Sequence, residues 1–119
     1  MKINSFKELI VWQKSRTLVK LVYGVCVQLP REEEFGISSQ VKRSAVSIPS
    51  NIAEGYRRNS VNDYLRFLSI ASGSAAELET QLILINDVFS VNTDEELALL
   101  EEVQKMLMVM KVKLEKTKP

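Results

Sequence analysis

Apolar positions recur along this chain at alternating intervals of three and four residues, the period of a helix with one buried face. Val11, Ser15, Leu18, Val22, Val25 and Leu29 form the first such stripe. Ser5-Phe6-Lys7-Glu8 ahead of it has the form of a capping box, and Pro30 sets its end. A second helix opens at Ser38 or Ser39 and carries Val41, Ala45, Ile48, Ile52 and Tyr56. Pro49 falls inside that stripe without breaking its phase, which predicts one kinked helix rather than two. Gly55 is placed to help terminate it.

Ser60 opens the longest helix, which runs to about Phe89 through Tyr64, Phe67, Ala71, Ala75, Leu78, Leu82, Ile85 and Phe89. Gly73 lies midway, in a run of small residues, at a cost of ~1 kcal/mol of helix propensity. Close approach of another helix is the expected return. Thr93-Asp94-Glu95-Glu96 reads as a second capping box, its acids on the positive end of the helix dipole. The fourth stripe is Leu97, Leu100, Val103, Leu107, Met110 and Leu114, with Lys111, Lys113 and Lys116 in the last turns. Leu99, Met106 and Val109 widen its apolar face, as either a deeply buried helix or an oligomer interface would require. The linkers are short, so successive helices run antiparallel. The expected fold is all-α: an up-and-down antiparallel four-helix bundle spanning residues 1–119 as one domain, its second helix kinked at Pro49.

Composition agrees with that outline and narrows the chemistry. Only 4 Gly and 3 Pro punctuate 119 residues, so long elements are expected. Cys26 is the single cysteine, which leaves no internal disulfide, and its neighbours Val25 and Val27 predict a buried structural thiol. The chain opens without an apolar signal core, and no run approaches the ~20 apolar residues of a membrane span. A cytoplasmic protein with no membrane contact is expected. There is no histidine, which removes the usual general base and the commonest metal ligand. Glu77 and Glu79, two apart on a helix, point away from each other and make a poor acid pair. No glycine-rich phosphate loop occurs. The chain is therefore expected to be no enzyme and to need no cofactor or metal.

The net charge of +1 conceals blocks of opposite sign. Residues 1–60 hold 10 Lys and Arg against 5 Asp and Glu, residues 61–104 hold 1 against 9, and residues 105–119 hold 5 against 1. At about 100° per residue, Ser47, Ser50, Glu54, Arg57 and Arg58 fall near the direction of Arg43, with Asn51 beside them. This polar stripe admits two readings. In one, Lys42, Arg43, Ser47, Asn51, Arg57 and Arg58 meet the phosphates of a nucleic acid. In the other, the stripe is buried between subunits, with Arg43 paired to Glu54 or to the acidic segment, and serves assembly together with Pro49 and Gly73. Tyr56 fits a bundle-end core position or a base-stacking one, and Trp12 a core or interface position.

Residues 38–55, SSQVKRSAVSIPSNIAEG, resemble the signature of the family named for the 23S rRNA intervening-sequence protein. Ile70-Ala71-Ser72-Gly73-Ser74, then Glu77-Leu78-Glu79-Thr80-Gln81-Leu82, and the early Val11-Trp12-Gln13-Lys14 agree with it. Ser44 departs mildly from the small apolar residue expected after the arginine. The resemblance implies an up-and-down four-helix bundle assembling into rings, with pentamers expected. The related accessory protein of diversity-generating retroelements is a basic pentameric barrel that engages nucleic acid and a reverse transcriptase. The family takes its name from reading frames in insertions of bacterial 23S rRNA genes, and membership does not make a protein a ribosomal constituent. The expectation that follows is an oligomeric adaptor binding RNA or DNA through its second helix. A scaffold for a protein partner, with no nucleic-acid contact, is the alternative.

Overall fold

The computed structural model describes residues 4–119. Helices α1 (Ile10–Val27), α2 (Ile37–Tyr56), α3 (Val61–Phe89) and α4 (Asp94–Glu115) follow one another without a strand among the described residues. Short 3-10 turns at Phe6–Glu8 and Arg31–Glu33 precede α1 and α2. Each helix packs on its neighbours in chain order, and α4 closes against α1. That is the up-and-down bundle, drawn out to 50 × 22 × 22 Å. Among the described residues no helix is long and apolar enough to cross a membrane.

The core is the set of apolar stripes. All six positions of the first stripe, from Val11 to Leu29, are buried, and the hydroxyl of buried Ser15 donates to the Trp12 carbonyl at 2.8 Å. They face Val41, Ala45, Ile48 and Ile52 of α2, Leu68 through Ile85 of α3, and Leu100, Val103 and Leu107 of α4. Each fully buried leucine or isoleucine contributes about 1.5–3 kcal/mol. Tyr64, Phe89, Leu97, Met110 and Leu114 pack half-buried at the margins. Leu99 and Met106 join them, whereas Val109 is exposed.

Local details depart from the sequence pattern where a neighbouring element decides the outcome. Ser5 caps only the 3-10 turn, accepting from the Lys7 N–H at 3.2 Å, and Glu8 reaches the N–H of Asn4. Helix α1 therefore starts at Ile10, behind Leu9. Neither Ser38 nor Ser39 caps α2. Gly36 holds that position, and Glu33 accepts weakly from the Ile37 N–H at 3.4 Å. Helix α2 runs unbroken through Pro49. Around the proline, Ser50 donates to the Val46 carbonyl and Asn51 to the Ser47 carbonyl, both at 2.8 Å.

The two interior glycines reverse their expected roles. Gly55 does not end α2. It is buried within the helix, and a Cβ there would stand 2.9 Å from the Phe67 Cβ and 3.0 Å from Tyr64 Cδ1. Glycine at this position lets α2 and α3 approach. Gly73, expected at a close approach, is exposed, and a Cβ there would meet nothing within 4 Å. Its smallness serves no packing in this chain.

At the α3–α4 turn, Thr93 precedes the helix as expected but does not cap it. Its hydroxyl donates instead to the Leu82 carbonyl at 3.0 Å, while Asn92 accepts from the Asp94 N–H at 2.8 Å. Ser90 takes the left-handed conformation (φ 56°), and the Asn86 side chain steadies the turn by donating to the Val91 carbonyl.

Candidate nucleic-acid interface

Helix α2 supplies the sequence-predicted basic residues, but they do not share one surface. Lys42 lies toward α1, its ammonium 4.9 Å from the Tyr23 ring centroid. It borders a groove with Cys26 and Arg31. Cys26 is half-buried, not fully sealed in the core, and burial pushes its thiol up, with the charge of Lys42 offsetting part of the effect. That basic neighbour lies on another helix, beyond the reach of a local sequence reading.

Arg43 turns the other way, into a cleft between α2 and α3 that also holds Ser47, Ser74, Glu77 and Gln81. Ser47 and Asn51, both candidates for phosphate contact, are half-buried and hydrogen-bond within the protein. The Ser47 and Ser74 hydroxyls share a 2.8 Å hydrogen bond, and the Asn51 amide donates to Ser47 Oγ at 2.9 Å. Ser50 faces a groove on the α1 side with Trp12, Arg16 and Pro49. The polar stripe thus straddles two grooves.

Arg57 and Arg58 lie just past the end of α2, among rings. The Arg57 guanidinium carbon is 5.4 Å from the Phe6 ring centroid. Arg58 pairs with Glu54, one helical turn back, and rests 4.7 Å from the Phe67 ring centroid. Arg66 reaches the same ring at 4.5 Å and pairs with Asp63 at 3.7 Å. Phe6 in turn meets Trp12 edge-on at 5.3 Å, Tyr56 meets Tyr64 at 6.4 Å, and Arg16 lies over Trp12 at 5.7 Å. The result is an end of the bundle where four arginines alternate with five aromatic rings. All four arginines are exposed. Such a surface can engage phosphates with planar guanidiniums and bases with ring faces.

A family model described as the 23S rRNA-intervening sequence protein matches residues 7–111. The chain belongs to that family. A protein of unknown function from the S23 ribosomal protein family of Bacteroides thetaiotaomicron has a similar crystal structure. The TM-score is 0.77 at 27% identity, over 86% of this chain and 98% of that one. No curated protein matches. Neither the family nor the similar structure is described by an enzymatic activity.

Within this family's fold, the arginine–aromatic end contains residues that the helical wheel of α2 does not single out. Arg16 and Arg66 belong to other helices, and Phe6 precedes the first one. The available signal is the adjacency of Arg66 to Phe67 in the opening turns of α3, opposite Arg57-Arg58 at the far side of a tight α2–α3 link.

Proposed function

We propose that this chain is a non-enzymatic, homo-oligomeric bundle that binds RNA or DNA through its arginine–aromatic end, with Arg57 and Arg58, just past the second helix, at the centre. The gathering of Arg57, Arg58 and Arg66 on Phe6 and Phe67 carries this reading. A guanidinium resting on a ring is held near the surface without being buried, and a phosphate draws it away. The ring face it leaves is then open to an unpaired base, an interaction worth about 1–3 kcal/mol per base. Lys42 and Arg43 lie apart from this surface and contribute only at a distance. Because the net charge of one chain is only +1, the proposal includes assembly, in which copies of the end add their fields. Exposed Met108 (64%) and Val112 (51%) along α4 support such an interface.

The test is fluorescence anisotropy with labelled single-stranded RNA and DNA across a salt series. Binding should weaken steeply with salt, because displaced counterions drive it. Arg57→Ala with Arg58→Ala should flatten the log–log slope by about 0.7 for each phosphate that the variant no longer neutralises. Salt-independent binding, or none, removes the reading. The same apolar strip on α4 favours the second reading, a scaffold for a protein partner. A partner retained after nuclease digestion would select it.

A further inference from the structure

The link between α1 and α2 carries a ring that nothing in the chain covers. Phe35 is 92% exposed, the highest value for a large apolar side chain among the described residues. Successive turns fix its place, since the N–H groups of Glu33, Glu34 and Gly36 donate to the Pro30, Arg31 and Glu33 carbonyls at 2.9–3.1 Å. Two free carboxylates accompany it. Glu33 is engaged at the start of α2, whereas exposed Glu32 and Glu34 form no ion pair among the described residues. Arg31 and Lys42 border Glu34 without pairing with it, and the link holds three acids against one base. A ring held out on an ordered turn has the form of an interface anchor without its pocket.

A pocket of matching character lies on the same two helices. Val46, Pro49 and Ala53 recur on α2 at intervals of three and four, a stripe beside the core one, and face Trp12 of α1. Pro49 and Ala53 project little, and the helices leave an apolar groove of about 440 Å³ there. Its charged lining is Arg16 and Lys20 alone, one helical turn apart on α1. Both are exposed, and neither forms an ion pair among the described residues. The groove therefore suits an apolar ring with carboxylates beside it.

We infer that Phe35 of a second copy fills this groove, with Glu32 and Glu34 of that copy meeting Arg16 and Lys20. A chain cannot fill its own groove. From Ile37 to Pro49 helix α2 climbs about 18 Å, beyond the reach of a phenylalanine side chain. Along α1, Trp12, Arg16, Val19, Tyr23 and Val27 follow at helical spacing, so one outward line joins the groove to the Phe35 tip. Tyr23 and Val27 on that line are both exposed. Two such faces laid antiparallel about a two-fold axis place each tip in the other's groove, and every contact occurs twice. Each ring removes about 150–250 Å² from water. Resting on one ring per copy, the contact belongs with weak, transient interfaces. The apolar strip of α4 takes no part in it.

The test uses the full chain at low salt, free of nucleic acid, with photoreactive p-benzoylphenylalanine in place of Phe35. In an equal mixture of ¹⁵N-labelled and unlabelled chains, irradiation should join copies and place the cross-link on Trp12, Val46, Pro49 or Ala53. Its yield should rise with concentration. Sedimentation of the natural chain should show the same association, and Phe35→Ala should weaken it about 30-fold or more, the loss of an interface anchor. The melting temperature should stay unchanged, because the ring is exposed. Charge reversal tests whether the contact is reciprocal. Glu32→Lys with Glu34→Lys makes tip and groove both positive, and Arg16→Glu with Lys20→Glu makes both negative. All four positions are exposed, so the fold tolerates the changes. Each variant alone should lose the cross-link, and their equal mixture should recover it, since each tip then meets a groove of opposite sign. No cross-link between copies at about 1 mM chain, a weak limit of affinity, would overturn the proposal. Cross-links outside the groove, or variants that associate alone as well as mixed, would do the same. So would a cell extract in which position 35 labels a different protein and never a second copy. Because nucleic acid is absent from the assays on the pure chain, their outcome is separate from nucleic-acid binding.

Discussion

The two ends of the bundle carry opposite chemistry. Where α2 finishes and α3 begins, Arg57, Arg58 and Arg66 lie on Phe6 and Phe67. The antiparallel course brings the last turns of α4, with Lys113, and then Lys116 and Lys118, toward this end. At the opposite end, Glu32, Glu33 and Glu34 occupy the α1–α2 link, and Asp94, Glu95 and Glu96 open α4. Arg31 and, on α2, Lys42 are cations beside them. Blocks of like charge that are scattered along the sequence are thus sorted in space into a basic end and an acidic end. The lesson concerns net charge. A value of +1 describes neither end, and a polyanion approaching this molecule meets an oriented field that favours one face and opposes the other.

The basic end depends on helix packing more than on its charges, and the largest expected effect breaks that packing. Gly55→Leu forces a side chain into a space where even a Cβ would lie 2.9 Å from the Phe67 Cβ. The helices must separate, at a cost of about 3 kcal/mol measurable by denaturant unfolding. Nucleic-acid binding should fall as well, because Arg58 and Arg66 then cease to share the Phe67 ring. Next in size, Arg57→Ala with Arg58→Ala should weaken RNA or DNA binding about tenfold at low salt and leave the melting temperature nearly unchanged. Neutralising Glu32 and Glu34 at the acidic end should leave affinity the same or raise it slightly. If both pairs of substitutions weaken binding equally, the contrast between the ends has no functional meaning.

A smaller effect of opposite sign separates the two glycines. Gly73→Ala meets no neighbour within 4 Å and should stabilise the protein by about 0.5–1 kcal/mol in a thermal or denaturant melt. A drop in stability there in the assembled protein would place Gly73 at an interface between copies.

How much of this was legible depended on what each feature needed to know. The stripes required only the helical period, and Val11 to Leu29, Val41 to Ile52 and Leu78 to Ile85 are buried as that period demands. Glycine roles required the partner helix. Gly55 and Gly73 are alike in sequence, yet only one lies under a neighbour. Caps required the tertiary surroundings too, since the Thr93 hydroxyl found the Leu82 carbonyl instead of its own helix. The polar stripe of α2 follows from the wheel, but a wheel does not say what stands on either side. Arg43 and Ser47 border α3, Ser50 borders α1, and Arg57 reaches a ring ahead of the first helix. The proposed binding surface is made from four separate segments and leaves no single local motif.

The smallest expected effect lies at the acidic end and depends on pH. Glu96 is buried in the first turn of α4, and burial raises its carboxyl above the usual range, with Glu95 and Asp94 adding to the rise and its own backbone N–H opposing it. A raised value means that the folded state holds the proton more tightly than the unfolded state. Stability from this group is therefore present in acid and is lost as pH climbs from the ordinary glutamate range through the raised value. At neutral pH the ionised carboxylate works against the fold. Glu96→Gln should raise the melting temperature at pH 7, and the gain should shrink on acidification and vanish below the ordinary glutamate range, where both side chains are neutral. The positive end of the α4 dipole pulls the other way, because a first-turn carboxylate is normally favoured there. A melting temperature that falls in Glu96→Gln at pH 7 would show that the dipole outweighs burial, and the acidic end would then be stabilised by its charges as the basic end is by its rings.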